Sequence, residues 1–239
     1  MSIKDRIAAR QKSNGVFICV AGERLSGKST IAATLPGKTL LLQASVLETG
    51  SNSATKLAKQ LKNKLDVVDF TSLDDLVALL DEARKSDYNN IFIDGISAVT
   101  EMKLGQPDVQ AVLKRDQWGA YRIIGEAVRN FLKMAKSIAS EDGKVVAISL
   151  ALQPKRDANG NLTELVPSVK GNVAISEISR LAPIFVTLRM AYDEEGNSIR
   201  EMVTKTDSVY PGRIDSLLDN NNPGVLDADL SVLLKLIAE

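Results

Sequence analysis

The chain contains no histidine and a single cysteine, Cys19. Without histidine, Ser-His-Asp hydrolysis, Cys-His proteolysis and HExxH metal chemistry are excluded. One cysteine closes no internal disulfide and cannot build a Cys₂His₂ or Cys₄ zinc site. Acid–base work must fall to carboxylates, lysine, tyrosine or water. Long apolar runs are also missing: no stretch approaches the ~18 residues of a membrane-spanning helix. The opening Met1-Ser-Ile-Lys-Asp-Arg lacks the apolar core of a signal peptide. A cytoplasmic protein without membrane contact is expected. Neither sign of charge is in excess, because 30 Lys and Arg balance 30 Asp and Glu. That excludes a histone-like or polybasic membrane binder; a nucleic-acid partner would need a local basic strip or repeated subunits.

What is present fits one folded unit. The 239 residues, 44% of them apolar, suffice for a single large α/β domain over 1–239. Residues 1–13 read as a polar N-terminal arm. Val16 to Ala21 (VFICVA), Thr39 to Gln43, Val67 to Phe70, Ile91 to Asp94 and Val145 to Leu152 (VVAISLAL) read as strands. Helices are expected from Lys28 to Leu35, Ser53 to Lys62, Leu73 to Lys85 and Gln117 to Ala139. The longest carries Tyr121, Ile124, Val128, Phe131, Ala135 and Ile138 at steps of three and four, one apolar stripe. Asn159-Gly160 signals a hairpin turn, and Ile184 to Tyr192 with Ser198 to Thr204 a second hairpin. A closing amphipathic helix is expected from Leu226 to Ile237, within 225–239. Alternating strands and helices followed by antiparallel additions predict a mainly parallel, helix-covered sheet with β-hairpins at its C-terminal edge.

The most specific signal is Gly22-Glu23-Arg24-Leu25-Ser26-Gly27-Lys28-Ser29, a complete G-x-x-x-x-G-K-[ST] followed by Thr30. Glycines let the backbone curl until its N–H groups face phosphate oxygens. Lys28 brings a cation to the β- and γ-phosphates, and the Ser29 hydroxyl ligates Mg²⁺. Strand before and helix after are the context this motif requires. Gly22 to Thr30 are therefore the expected ATP contacts. Asp94 ends the apolar run Ile91-Phe92-Ile93. An acid there, near Ser29, holds the metal's shell; the plainer alternative is a turn-forming Asp before Gly95. The residue after Asp94 is Gly95 rather than Glu, so a water-activating carboxylate must come from elsewhere.

Together AGERLSGKST, IFIDGISAVTE, the helix start Trp118-Gly-Ala-Tyr-Arg122 and VVAISLALQ resemble the phage nucleotide-binding proteins of the RecA-like class, some of which are single-strand annealing or recombination ATPases. The likeness spans roughly residues 15–215. It implies a RecA-like P-loop NTPase with ATP and Mg²⁺. It also implies a catalytic carboxylate after the second strand, where Glu48 is nearest and Glu23 and Glu101 are rivals. Gln153, after the Val145–Leu152 strand, stands where such cores sense the γ-phosphate. Lys205 and Arg213 match cations that reach a neighbouring subunit's nucleotide. Implied partners are single-stranded DNA, further copies of the chain and a single-strand-binding protein. DNA would meet the loops near 103–116 and 154–171, the second carrying Lys155, Arg156 and Lys170, although neither loop holds an aromatic residue for stacking. Arg115, Arg122, Arg129 and Lys136 recur every seven residues along the long helix; they either lay their stems along the core edge or face a subunit or DNA. Two other functions stay open: a P-loop kinase for a small substrate, and a nucleotide-gated assembly factor with little hydrolysis.

Overall fold

The computed structural model describes residues 15–44, 51–170, 177–178, 180–215 and 221–238. The expected N-terminal arm and Glu48 lie outside them. Elements in chain order are β1 (Val16–Gly22), α1 (Lys28–Ile31), a 3₁₀ turn (Ala32–Thr34), β2 (Lys38–Ala44), α2 (Ser51–Leu61) and β3 (Lys64–Phe70). They continue with α3 (Leu73–Lys85), β4 (Asn90–Asp94), α4 (Ile96–Gly105), α5 (Pro107–Leu113) and α6 (Gln117–Asp142). The remainder is β5 (Val145–Arg156), β6 (Leu162–Pro167), β7 (Ile184–Tyr192), β8 (Ser198–Val203), β9 (Arg213–Ile214), β10 (Val225–Asp227) and α7 (Leu230–Ala238).

Among the described residues the strands form one sheet in the order β10-β8-β7-β1-β5-β4-β2-β3, with β6 on β5 and β9 on β7. From β3 across to β7 every pairing is parallel. The pairings of β8, β9, β10 and β6 are antiparallel. Strand side chains alternate faces, and the two faces build separate cores. One packs Phe17, Cys19, Leu42, Ile93 and Ile148 against α3, α4, α5 and α6. The other packs Ile18, Val20, Leu41, Phe92 and Ala147 against Ile31, Ala54 and Leu233 of α1, α2 and α7. A sheet covered on both faces requires the continuous apolar strands seen in the sequence. No helix among the described residues is long and apolar enough to cross a membrane.

Several boundaries differ from expectation. The segment 103–116, expected as a loop, is the end of α4 and the whole of α5. Pro107 starts α5, where its missing N–H is harmless, and Val109 is buried. The helix after the glycine loop tightens to 3₁₀ geometry at Ala32. β5 runs on to Arg156 because β6 pairs with its far end. Val225–Asp227, expected as helix, is an edge strand on β8; α7 begins only at Leu230, with Asp229 accepting from the Ser231 N–H at 2.7 Å. The Asn159-Gly160 hairpin is not a two-residue turn. Asp157 closes onto Asn161 through backbone N–H···O at 3.0 Å, and Gly160 takes φ +84°. That is the longer hairpin loop with a left-handed glycine.

Candidate nucleotide site

β1 ends at Gly22, in register with Ala151 of β5 and Leu188 of β7, so the glycine loop leaves from the middle of the sheet's C-terminal edge. The chain must turn tightly here. A Cβ on Gly22 would lie 2.4 Å from Ser26 Oγ and 2.9 Å from the Leu188 carbonyl, so no other residue fits. Gly27 closes the loop at φ 97°, the left-handed region glycine adopts without strain. Leu25, at the loop's tip, also has positive φ and is 85% exposed. Lys28 folds back over the loop and donates to the carbonyls of Gly22 at 3.1 Å and Glu23 at 2.7 Å.

β5 lies between β1 and β4, with Ile93 in register with Ile148. Asp94 therefore ends its strand one place removed from the phosphate loop. It is 1% exposed. Ser149 donates its hydroxyl to Asp94 Oδ1 at 2.5 Å. Asp94 Oδ2 and the buried Ser26 Oγ have no hydrogen-bond partner among the described residues. Gln43, 6% exposed, is in register with Asp94 on the next strand. Gln43, Asp94 and Ser149 follow Leu41, Phe92 and Ala147 by two residues, so all three lie on the sheet face that carries α1.

These residues fit a nucleotide with Mg²⁺. A buried carboxyl oxygen left without a partner is costly unless a ligand meets it. Among the described residues no three Asp, Glu or Cys cluster as an all-protein metal cage. Mg²⁺ needs none, because it commonly takes one or two protein oxygens and completes its shell with water and phosphate. Ser29 and Asp94 are the candidates.

The remaining expected residues divide. Gln153 is exposed on the β5–β6 ribbon, beyond the level of Gly22. Lys155 pairs with Glu164 at 3.4 Å, and Arg156 donates to the Gly160 carbonyl at 2.8 Å, so both cations serve their own hairpin. The Lys170 N–H approaches Thr100 Oγ1 at 3.4 Å. Arg213 pairs with Phe185, level with Cys19 and so well below the phosphate loop. It is engaged there by the Ala182 carbonyl and by Asp215. Lys205 is exposed past the end of β8. Within one chain Arg213 is thus set below the level of the loop. Sequence reasoning missed Gln43 and Ser149, each a polar residue set in an apolar strand.

A glycine loop between a buried parallel strand and a helix, with a buried acid ending a nearby strand, defines a P-loop NTPase of α/β fold. A family model described as an AAA domain matches residues 14–213, and the chain belongs to that family of nucleotide-binding ATPase domains. No curated protein matches it.

Proposed function

We propose that the protein is a RecA-like Mg-ATPase that works on single-stranded DNA, as an oligomer, in recombination or strand annealing. The ATP half of this reading rests on the loop and Asp94. Lys28 would exchange its two loop carbonyls for phosphate oxygens. Ser29 and Asp94 would offer oxygens to Mg²⁺, which supplies charge neutralisation on the phosphates. Ser149 would hold Asp94 in one orientation. The insertion of β5 between β1 and β4 supports the RecA-like order over a small-molecule kinase, since it sets a polar strand end between the loop and the acid.

One observation carries the DNA half: Trp118, the chain's only tryptophan, is 80% exposed. It sits at the start of α6, fixed by Asp116, which accepts from the Gly119 N–H at 2.9 Å. Lys114, Arg115 and Arg122 around it are all exposed. A flat ring flanked by cations is the arrangement that stacks a base while holding its phosphates, without sequence preference. α6 runs 26 residues back to the start of β5, so its first turn belongs to the same edge of the sheet as the phosphate loop.

Titration with oligo-dT tests this, read by tryptophan emission and by ATP turnover. Stacking should quench the emission, high salt should weaken binding, and Trp118→Ala should cost about 1–3 kcal/mol per stacked base. Unquenched emission together with equal affinity for wild type and Trp118→Ala would sink the DNA reading.

A further inference from the structure

Arg200 stands out because nothing among the described residues uses its charge. Its guanidinium has no hydrogen bond or ion pair among the described residues. The neighbouring Arg189, by contrast, is held by Glu201 at 2.9 Å and by Asp207 at 3.5 Å. We infer that Arg200 is a nucleotide-binding residue acting in cis, gripping the α- and β-phosphates of a nucleoside di- or triphosphate from the β7–β8 hairpin. This rests on the nucleotide reading above and extends it to a residue outside the phosphate-loop motif.

Strand geometry aims the side chain. Leu188 of β7 and Met202 of β8 are cross-strand partners buried in the same core as Ile31 of α1. Two residues further up the ladder, Met190 and Arg200 form the next pair on that face. There the core gives out at the sheet's C-terminal edge, and Arg200 emerges beside the phosphate loop. β8 is held between β7 and β10, and the Arg200 carbonyl accepts from the Ala228 N–H at 3.3 Å. The backbone under the side chain is thus fixed.

The approach to the loop is close. A Cβ built on Gly27 would lie 3.0 Å from Arg200 Nε, 3.1 Å from Cδ and 3.4 Å from Cζ. Between them opens a cleft of about 370 Å³, lined by Gly27, Thr30, Leu188, Met190, Ser198 and Arg200. That volume falls within the range of small-ligand sites. In phosphate loops of this sequence the backbone N–H groups cradle the α- and β-phosphates, whereas the lysine reaches the β- and γ-phosphates. Arg200 lies against Gly27, so its fork meets the inner phosphates. An arginine fork there binds oxygens in pairs, which a lysine reproduces only in part.

The position dictates the kinetic signature. The α-phosphate keeps its charge through hydrolysis, and the β-phosphate gains charge only as the Pγ–O bond breaks, so most of this contact is already made in the ground state. Such a contact changes binding more than it changes the chemical step. A cation on the γ-phosphate would do the opposite.

Calorimetric titration with Mg-ADP and with Mg-ATP, alongside steady-state turnover, tests the inference on wild type, Arg200→Ala, Arg200→Gln and Arg200→Lys. Glutamine retains most of the stem over Met190, so a folded, uncharged variant is available if alanine fails to fold. Expected are roughly tenfold or greater losses of affinity for both nucleotides in the uncharged variants, partial recovery with lysine, and a KM raised by more than kcat falls. Unchanged affinity for ADP and ATP overturns the inference, as does a loss confined to kcat or to ATP. Wild-type protein that binds neither nucleotide overturns the underlying reading, and Arg200's role with it.

Discussion

Ser149 donates its hydroxyl to one oxygen of Asp94, and the other oxygen of that buried carboxyl meets no hydrogen-bond donor among the described residues. The pair joins β5 to β4 and leaves half of the acid available to a ligand. Asp94→Asn should keep the Ser149 contact, hold some nucleotide and lose Mg²⁺ dependence. Superimposable Mg²⁺ titrations for wild type and variant would reject the metal role. Ser149→Ala removes a hydrogen bond to the carboxyl and should lower stability by about 1–3 kcal/mol in denaturant unfolding.

Lys28→Ala should abolish nucleotide binding with the fold intact. The side chain is only half-buried, and it donates to two carbonyls of the loop itself. Calorimetry with Mg-ATP reads the binding, and circular dichroism the fold. Undiminished affinity in a folded variant would show that the loop does not hold the phosphates.

Cys19 lies in the central strand, fully buried, and burial pushes its thiol well above the ordinary cysteine range. Thiol reagents act on the thiolate. Native protein should therefore resist alkylation at neutral pH and label at once in denaturant. Fast labelling of native protein, at a rate independent of denaturant, would contradict the burial of β1.

The turns of both hairpins share the pattern Asp-x-x-Gly-Asn, at Asp157–Asn161 and Asp193–Asn197. In each, the aspartate accepts backbone N–H groups and the asparagine amide. At Asp157 the Asn161 backbone contact comes first, and at Asp193 the Asn197 side chain; both carboxyls are held below the usual range. A lowered folded pKa means stability present above the unfolded pKa and lost as pH falls through the folded one. Both turns should thus be intact at neutral pH and loosen below about pH 4. Amide exchange at Asn161 and Asn197 checks it; protection that stays flat from pH 6 to pH 2, after correction for intrinsic exchange, would count against it.

The phosphate loop was legible because its chemistry is covalently local: nine consecutive residues carry it, and a strand and a helix flank it. Asp94 was legible as a site residue only because a complete phosphate-loop motif lies upstream; an Asp before glycine at the end of an apolar run would alone read as a turn. Gln43 and Ser149 were not read as site residues because their neighbourhood depends on strand order, which no local pattern encodes. Arg200 lies 173 positions after Gly27; only the folding back of β8 along β7 brings them together. The segment 103–116 was misjudged for a different reason. Its polar residues mask the short apolar spacing Val109, Val112 and Leu113 that packs α5 onto the core.

The link between Leu230 and Thr34 spans almost the whole chain: the Leu230 N–H donates to Thr34 Oγ1 at 2.8 Å, at a separation of 196 residues. Thr34 closes the 3₁₀ turn that follows the phosphate-loop helix. On the ribosome, then, the loop is made first and waits for its clasp until α7 has emerged. A nascent chain short of residue 230 carries every residue of the motif without the helix that braces it. Nucleotide competence is thereby tied to synthesis through Leu230, and truncation before Leu230 should be felt at a site that lies nearly two hundred residues away in sequence.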